Sequence, residues 1–305
     1  MKRCILYNGT FRKGYIMEKT KTGLHTYMAI PAFILYTIFF IYPLIKGVGM
    51  SFTDWDGIGR LSFIGLENFR NFFQDERALN DVKTTLLFAF GSAPLLNIVG
   101  LIYALLMNSK FTGKGITRMI IYLPAIISPL IMGYIWYLLL QPGRGFIYHF
   151  LNNMGKGDLF GNWLGSYWTT MLVLILVNVW QYAGMTMVIY LAGLQAIPTE
   201  LYESAKMDGA SSISRFRFIT LPLLVPSIRI NVVTNIIGSL SVFDIVMSLT
   251  GGGPGYSTET LSIYIMRMCY GSRTGYSTAV AVIMFFIILI PVLISMRLTK
   301  QKAEE

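Results

Sequence analysis

Two groups of amide and hydroxyl side chains sit inside otherwise apolar stretches at spacings suited to binding a solute. Asn178, Gln181 and Tyr182 fall within about one helical turn of each other. Asn231, Asn235 and Ser239 recur every fourth residue, which places them on one face of a helix. Amides offer both donors and acceptors, and a tyrosine ring offers a flat apolar surface, the inventory a hydroxylated solute needs. The same side chains also hydrogen-bond helices to one another in a bilayer, and residue type alone does not separate the two roles. Asn178, Tyr182, Asn235 and Ser239 form the set expected to bind solute. Arg229 lies near one end of its apolar run, where a long cationic side chain snorkels to the interface. Asp244, near the opposite end, fits an external gate, a helix cap or a solvated position.

Catalytic chemistry finds little support. The two cysteines, Cys4 and Cys269, and the two histidines, His25 and His149, are each isolated, so no disulfide framework, metal cluster or His-based centre follows. Gly251-Gly252-Gly253-Pro254-Gly255 lacks the Gly-Lys-Ser/Thr ending of a phosphate-cradling loop and reads as a tight turn. A membrane-embedded enzyme would need converging nucleophiles, carboxylates or metal ligands. Apart from Arg229, the apolar runs carry almost no charged residues beyond Lys46, Lys83 and Arg118, all near their ends. The chain is expected not to be an enzyme and to bind no metal or cofactor itself.

The elements that position these residues are membrane spans. Hydrophobic residues make up 54% of the chain and charged residues 13%, against about 25% charged in a soluble protein. Six apolar runs, near 27–48, 82–107, 118–140, 168–194, 219–241 and 276–296, each approach the ~20 residues that cross a hydrocarbon core as a helix. The first run is too long for a secretory signal, and no small-residue cleavage site follows it. Lys and Arg concentrate in the N-terminal segment, after the second and fourth runs, and after the sixth. The longer segment 51–81 instead carries Asp54, Asp56, Glu67, Asp75, Glu76 and Asp81. Cytoplasmic loops collect Lys and Arg, so both termini are expected inside. The net charge of +10 is then topological, and nucleic-acid binding drops out. Pro31, Pro43, Pro94, Pro124, Pro129, Pro222 and Pro226 predict kinks or breaks in the spans.

The segment between the fourth and fifth runs reads as a compact helix–turn–helix. Thr199 is a plausible N-cap, Glu200 suits the first turn, and Gly209 falls where a left-handed residue ends a helix. Ser211 or Ser212 then caps a second short helix. Glu203-Ser204-Ala205, three residues, Gly209, nine residues and Ile219-Thr220-Leu221-Pro222 match the spacing of the cytoplasmic loop shared by ABC importer permeases. Ser204 is the one departure, small for small. Leu249-Thr250-Gly251-Gly252-Gly253-Pro254-Gly255 and Phe63-Ile64-Gly65-Leu66-Glu67-Asn68-Phe69 further resemble the carbohydrate-uptake branch, which holds maltose-type and glycerol-3-phosphate-type permeases.

That resemblance covers nearly the whole chain and looks like the first of two paired permeases. It implies an all-α membrane protein of six transmembrane helices, with a cytoplasmic coupling-helix loop between helices 4 and 5. The expected organisation is a cytoplasmic segment 1–26, a permease domain 27–297 and a cytoplasmic tail 298–305. Glu203, Ser204, Ala205, Gly209 and Ala210 would dock on an ATPase subunit. The implied partners are a second permease, two ATPase subunits holding ATP and Mg, an extracytoplasmic sugar-binding protein, the sugar and the lipid bilayer. The implied location is the cytoplasmic (inner) membrane, multi-pass, and the implied mechanism alternating access. The rival readings are an importer permease for a non-sugar solute and a membrane-embedded enzyme. Residues 1–16 have no family counterpart and are expected to be disordered and dispensable, with Met17 as an alternative start.

Overall fold

The computed structural model describes residues 22–109, 112–155 and 162–299; the expectation for residues 1–16 lies outside the described residues. Among these the architecture is helical, with one isolated antiparallel bridge, Thr53 to Phe63. The chain divides into two compact units, Met1–Gly47 and Val48–Glu305.

In the first unit, Thr22–Tyr36 (α1) passes through a π-helical turn at Thr37–Ile41 into Tyr42–Met50 (α2). Pro43 follows that turn and has no N–H to give the carbonyl of Phe39. A widened turn, closed by the Tyr42 N–H donating to the Thr37 carbonyl, relieves the crowding of the proline ring. The same device recurs in the second unit, where a π-helical turn at Phe216–Thr220 precedes Pro222. Phe33, Phe39 and Ile45 are all exposed, which water would oppose and hydrocarbon would not.

The second unit begins with Glu67–Gln74 (α3) and continues with the 33-residue helix Glu76–Asn108 (α4). Of the kink or break expected at Pro94, there is no break: α4 continues through it. The third apolar run is instead two helices, Lys114–Ile126 (α5) and Pro129–Leu140 (α6), bent by 95°. Ser128, immediately before Pro129, takes ψ 133, because a following proline excludes the helical region. The short Phe146–Asn153 (α7) leads to Tyr167–Gln195 (α8). Thr199–Met207 (α9), Ser212–Arg215 (α10) and Leu221–Leu223 (α11) make the connecting loop. Val225–Leu240 (α12) then leaves Ser212–Leu223 at 67°. Asp244–Leu249 (α13), Leu261–Tyr270 (α14) and Thr274–Leu298 (α15) complete the chain.

Among the described residues, four helices are long and apolar enough to cross a membrane, or up to six if each bent pair is one span. This is the expected six-span helical architecture. α8 lies at its centre and packs against α4, α5 and α12. Small residues permit the approach: a methyl group at Gly184 would sit 2.4 Å from the Ile121 carbonyl oxygen. One buried cluster joins Phe88, Met132, Leu174, Ile245 and Val246; another joins Ala104, Met187, Leu194 and Leu224 beside the α9 loop. α15 is the reverse, with only 17% of its most apolar window buried and Phe285, Phe286 and Ile290 facing outward. An apolar helix without a polar face belongs in lipid.

Candidate functional site

α8 and α12 present their polar residues to a cavity of about 390 Å³. Asn178, Tyr182, Asn235 and Ser239, the set expected from the sequence, all line it, together with Thr186 and Asn231. Among the described residues, the side chains of Asn178 and Tyr182 make no hydrogen bond, which leaves both for a ligand. Asn235 and Ser239 already have partners: the Asn235 amide donates to Thr186 Oγ1 at 3.3 Å, and Ser92 Oγ donates to Ser239 Oγ at 2.9 Å. Asn231 Nδ2 donates to the Thr186 carbonyl at 3.2 Å, while its Oδ1 is buried without a partner. These residues join helices and line the cavity at once.

Gln181 separates from its neighbours. It is fully buried, donates from Nε2 to the Ile127 carbonyl at 3.1 Å, and does not line the cavity. That carbonyl is freed by the break between α5 and α6, so Gln181 repairs a broken ladder. Asp244 is the first helical residue of α13, after the N-cap Phe243; its exposed side chain lines the cavity beside Asn178 and Asn235.

The loop between α8 and α12 adopts the expected helix–turn–helix with one correction. Pro198, not Thr199, is the N-cap of α9, and no side chain caps that end. Proline sets φ at −58, the chain turns helical at once, and the Thr199 hydroxyl then lies within the first turn instead of ahead of it. The other end is a Schellman motif: Gly209 takes φ +76, its N–H donates to the Lys206 carbonyl at 3.1 Å, and the Ala210 N–H donates to the Ala205 carbonyl at 2.9 Å. Nothing lies within 4 Å of a Cβ built on Gly209, so within this chain the glycine answers to backbone angle alone. Ser211 is the cap of α10, accepting from the Ser214 N–H at 3.2 Å. Glu203, Ser204 and Gly209 are exposed; Ala205 and Ala210 are half-buried. Tyr202 and Thr220 pair hydroxyl to hydroxyl at 2.9 Å and tie α9 to the root of the fifth span.

Sequence reasoning missed a third constellation, at the end of the bundle opposite that loop. Glu259 is fully buried and paired with Arg77 at 2.8 Å and with Arg267 at 2.8 Å. Both guanidinium groups also lie over the Tyr256 ring, 4.0 and 4.8 Å from its centroid. Arg267 Nη2 donates to the Gly251 carbonyl at 2.7 Å, and Leu261 N–H donates to Thr85 Oγ1 at 2.9 Å. The glycine-rich loop is therefore pinned to α4 and α14, a tight turn as expected and no phosphate cradle. Asp81, fully buried on α4, has neither carboxylate oxygen hydrogen-bonded. Asp75 caps α4 through Arg77 N–H and Ala78 N–H, and accepts from the hydroxyls of Tyr264 and Tyr276. Burial alone would raise the Asp75 pKa, but the bonds from Tyr264, Ala78, Tyr276 and Arg77 together hold it below the ordinary carboxylate value.

The family profile described as binding-protein-dependent transport system inner membrane component matches residues 97–304. The probable starch degradation products transport system permease protein AmyD of Thermoanaerobacterium thermosulfurigenes is 33% identical over 287 residues, 93% of this chain and 97% of its own length. The trehalose/maltose transport system permease protein MalF of Thermococcus litoralis is 32% identical over 86% of this chain and 88% of its own. The sn-glycerol-3-phosphate transport system permease protein UgpA of Yersinia pestis is 31% identical over 90% of this chain and 93% of its own. Among solved structures, a chain of a bacterial ABC transporter involved in import of the acidic polysaccharide alginate superposes with a TM-score of 0.81 at 28% identity, covering 92% of this chain and 96% of that one. The same transporter in complex with its alginate pentasaccharide-bound periplasmic protein gives 0.80 at 29% identity, covering 91% and 96%.

Proposed function

Because this chain belongs to the family of binding-protein-dependent transport system inner membrane components, we propose that it is a permease subunit for sugar or oligosaccharide import. It lines the translocation path together with a second permease, and separate ATPase subunits, holding ATP and Mg, drive the cycle. An extracytoplasmic binding protein hands over the sugar, as the complex of the alginate transporter with its periplasmic protein suggests by analogy. Both termini and the α9 loop face the cytoplasm, and the Glu259 end faces outside. The domain limits 1–26, 27–297 and 298–305 follow from that placement.

One observation carries the mechanism: the loop that bears the family's docking residues directly joins the two helices that wall the solute cavity. Glu203, Ser204 and Ala205 lie on α9 and Gly209 and Ala210 in the turn that ends it, and Met207 and Ile213 beside them are 88% and 79% exposed. Large apolar side chains at a cytoplasmic loop tip suit a partner's cleft. Movement of that partner on ATP binding would tilt α8 and α12 together, and Asn178, Tyr182, Asn235 and Ser239 would face alternate sides. The rigid Schellman turn and the Tyr202–Thr220 tie transmit the push instead of absorbing it. A non-sugar solute remains the second reading, and the sugar names of the relatives together with the amide-rich cavity weigh against it.

The test is ATP-driven uptake into proteoliposomes holding the full importer and binding protein. Sugar accumulation that requires ATP and is lost on uncoupling the α9 loop is the expected result. Accumulation independent of ATP, or of an amino acid or ion instead of a sugar, would overturn the proposal.

A further inference from the structure

The charge of the cavity wall points to a substrate class. Asn178, Thr186, Asn231, Asn235 and Ser239 contribute amides and hydroxyls, and Asp244 contributes a carboxylate; among the described residues, no Lys, Arg or His lines the cavity. Asp244 is exposed and takes part in no salt bridge among the described residues, so no neighbouring cation cancels its charge. The two arginines that hold the glycine-rich loop after α13, Arg77 and Arg267, are both committed to Glu259. A ligand carboxylate or phosphate entering this cavity would lose water, meet no cation, and approach a fixed negative charge. A neutral sugar meets the opposite situation, since its hydroxyls donate to a carboxylate in short charge-assisted bonds.

We propose that Asp244 makes this cavity selective for uncharged oligosaccharides, binding their hydroxyls and excluding uronates and sugar phosphates. The inference rests on the solute site assigned under the proposed function. The structural neighbour belongs to a transporter of an acidic polysaccharide on the same fold, so the fold alone does not set the charge of the solute. Specificity of this kind is a difference of affinities, and one uncompensated like charge supplies the repulsive half of it.

The experiment uses the full chain assembled with its second permease and ATPase subunits in lipid nanodiscs. Equilibrium dialysis would measure binding of neutral trisaccharides (maltotriose, cellotriose, mannotriose) and of uronate trisaccharides (trigalacturonate, trimannuronate) at low and high salt. Wild type should bind at least one neutral member and favour it over every uronate by about ten-fold or more at low salt, the gap narrowing as salt screens it. Asp244→Asn should bring the two classes within about three-fold of each other, and Asp244→Glu should restore the exclusion. A uronate bound by wild type as tightly as the best neutral sugar, or an unchanged ratio in Asp244→Asn, would overturn the inference while leaving the site in place. Absence of any binding, or sugar binding indifferent to Asn235→Ala, would instead overturn the site itself and this inference with it.

Discussion

Arg77 grips Glu259 with two parallel bonds, Nε to Oε2 at 2.8 Å and Nη2 to Oε1 at 3.1 Å, across 182 residues of sequence. The contact fastens the glycine-rich loop onto the start of α4, and Arg267 completes it from α14. Glu259 is fully buried, whereas the Arg77 and Arg267 side chains keep 34% and 25% exposure, so the two ends of the clamp are unequal. Glu259→Ala removes the carboxylate that both arginines share, leaving Arg77 with only Asp81 nearby, and should destabilise the protein by about 2–5 kcal/mol. Arg77→Ala should cost less, because Arg267 still holds the carboxylate. Thermal unfolding in detergent, followed by tryptophan fluorescence, checks the order; equal melting points for the two variants would contradict it.

Asp75 links acid sensitivity to the same end of the bundle. Against the upward pull of burial, the hydrogen bonds from Tyr264, Ala78, Tyr276 and Arg77 hold its folded pKa below the ordinary carboxylate value. A depressed carboxylate contributes stability that is present in full above its unfolded pKa and lost as pH falls through the folded one. Asp75→Asn keeps a competent cap on α4, because asparagine caps about as well as aspartate, and removes the charge that the Tyr264 and Tyr276 hydroxyls bond. The melting-point gap between wild type and Asp75→Asn should therefore be widest near pH 7 and close below about pH 4. A gap that widens on acidification would refute the assignment.

The α9 loop predicts an uncoupled phenotype. Gly209 holds φ +76, which a β-branched side chain resists. Gly209→Val should insert normally yet recover less ATPase on co-purification and lose binding-protein-stimulated hydrolysis. Glu203→Ala should act in the same direction and more weakly, because its exposed charge is screened. Wild-type recovery and stimulation in Gly209→Val would remove the docking role from this loop.

The cavity residues differ in how free they are. Asn178→Ala removes an amide with no other partner and should weaken sugar capture several-fold, about 0.5–1.5 kcal/mol, with stability unchanged. Asn235→Ala removes a cavity amide that also bonds Thr186, so it should weaken capture and lower the melting point together. Gln181→Ala should lower the melting point alone, because its amide holds the Ile127 carbonyl outside the cavity. Uptake kinetics and melting curves on the three variants separate these roles. Unaltered uptake in both asparagine variants would return them to helix packing.

Orientation is checked by labelling. In a background lacking Cys4 and Cys269, Ser62→Cys should react with a membrane-impermeant maleimide added to intact cells, and Ser212→Cys should not. Both positions are exposed, so access alone decides the outcome. The opposite pattern would invert the topology.

By itself the sequence determined the spans, the helix–turn–helix between α8 and α12, and the polar face those two helices share. Hydrophobic run length, Lys and Arg placement, and a left-handed glycine at the end of a short helix are local properties that tertiary packing has little power to change. The four expected cavity residues also came from local spacing, because positions four apart on a helix share a face wherever that helix packs. Only the tertiary structure decided what depends on a second element. Gln181 and Tyr182 are adjacent in sequence, but one side chain meets the freed Ile127 carbonyl and the other meets the cavity, according to where the break between α5 and α6 falls. Pro94 and Pro129 look alike in sequence, yet α4 runs straight through the first and the chain turns by 95° at the second. Arg77, Glu259 and Arg267 carry no periodic signal at all, since an ion pair across 182 residues is set by how α4 and α14 come together. The Asp244 carboxylate was legible as a charge at the end of a span, and became a wall of the cavity only once α13 turned back beside α8 and α12.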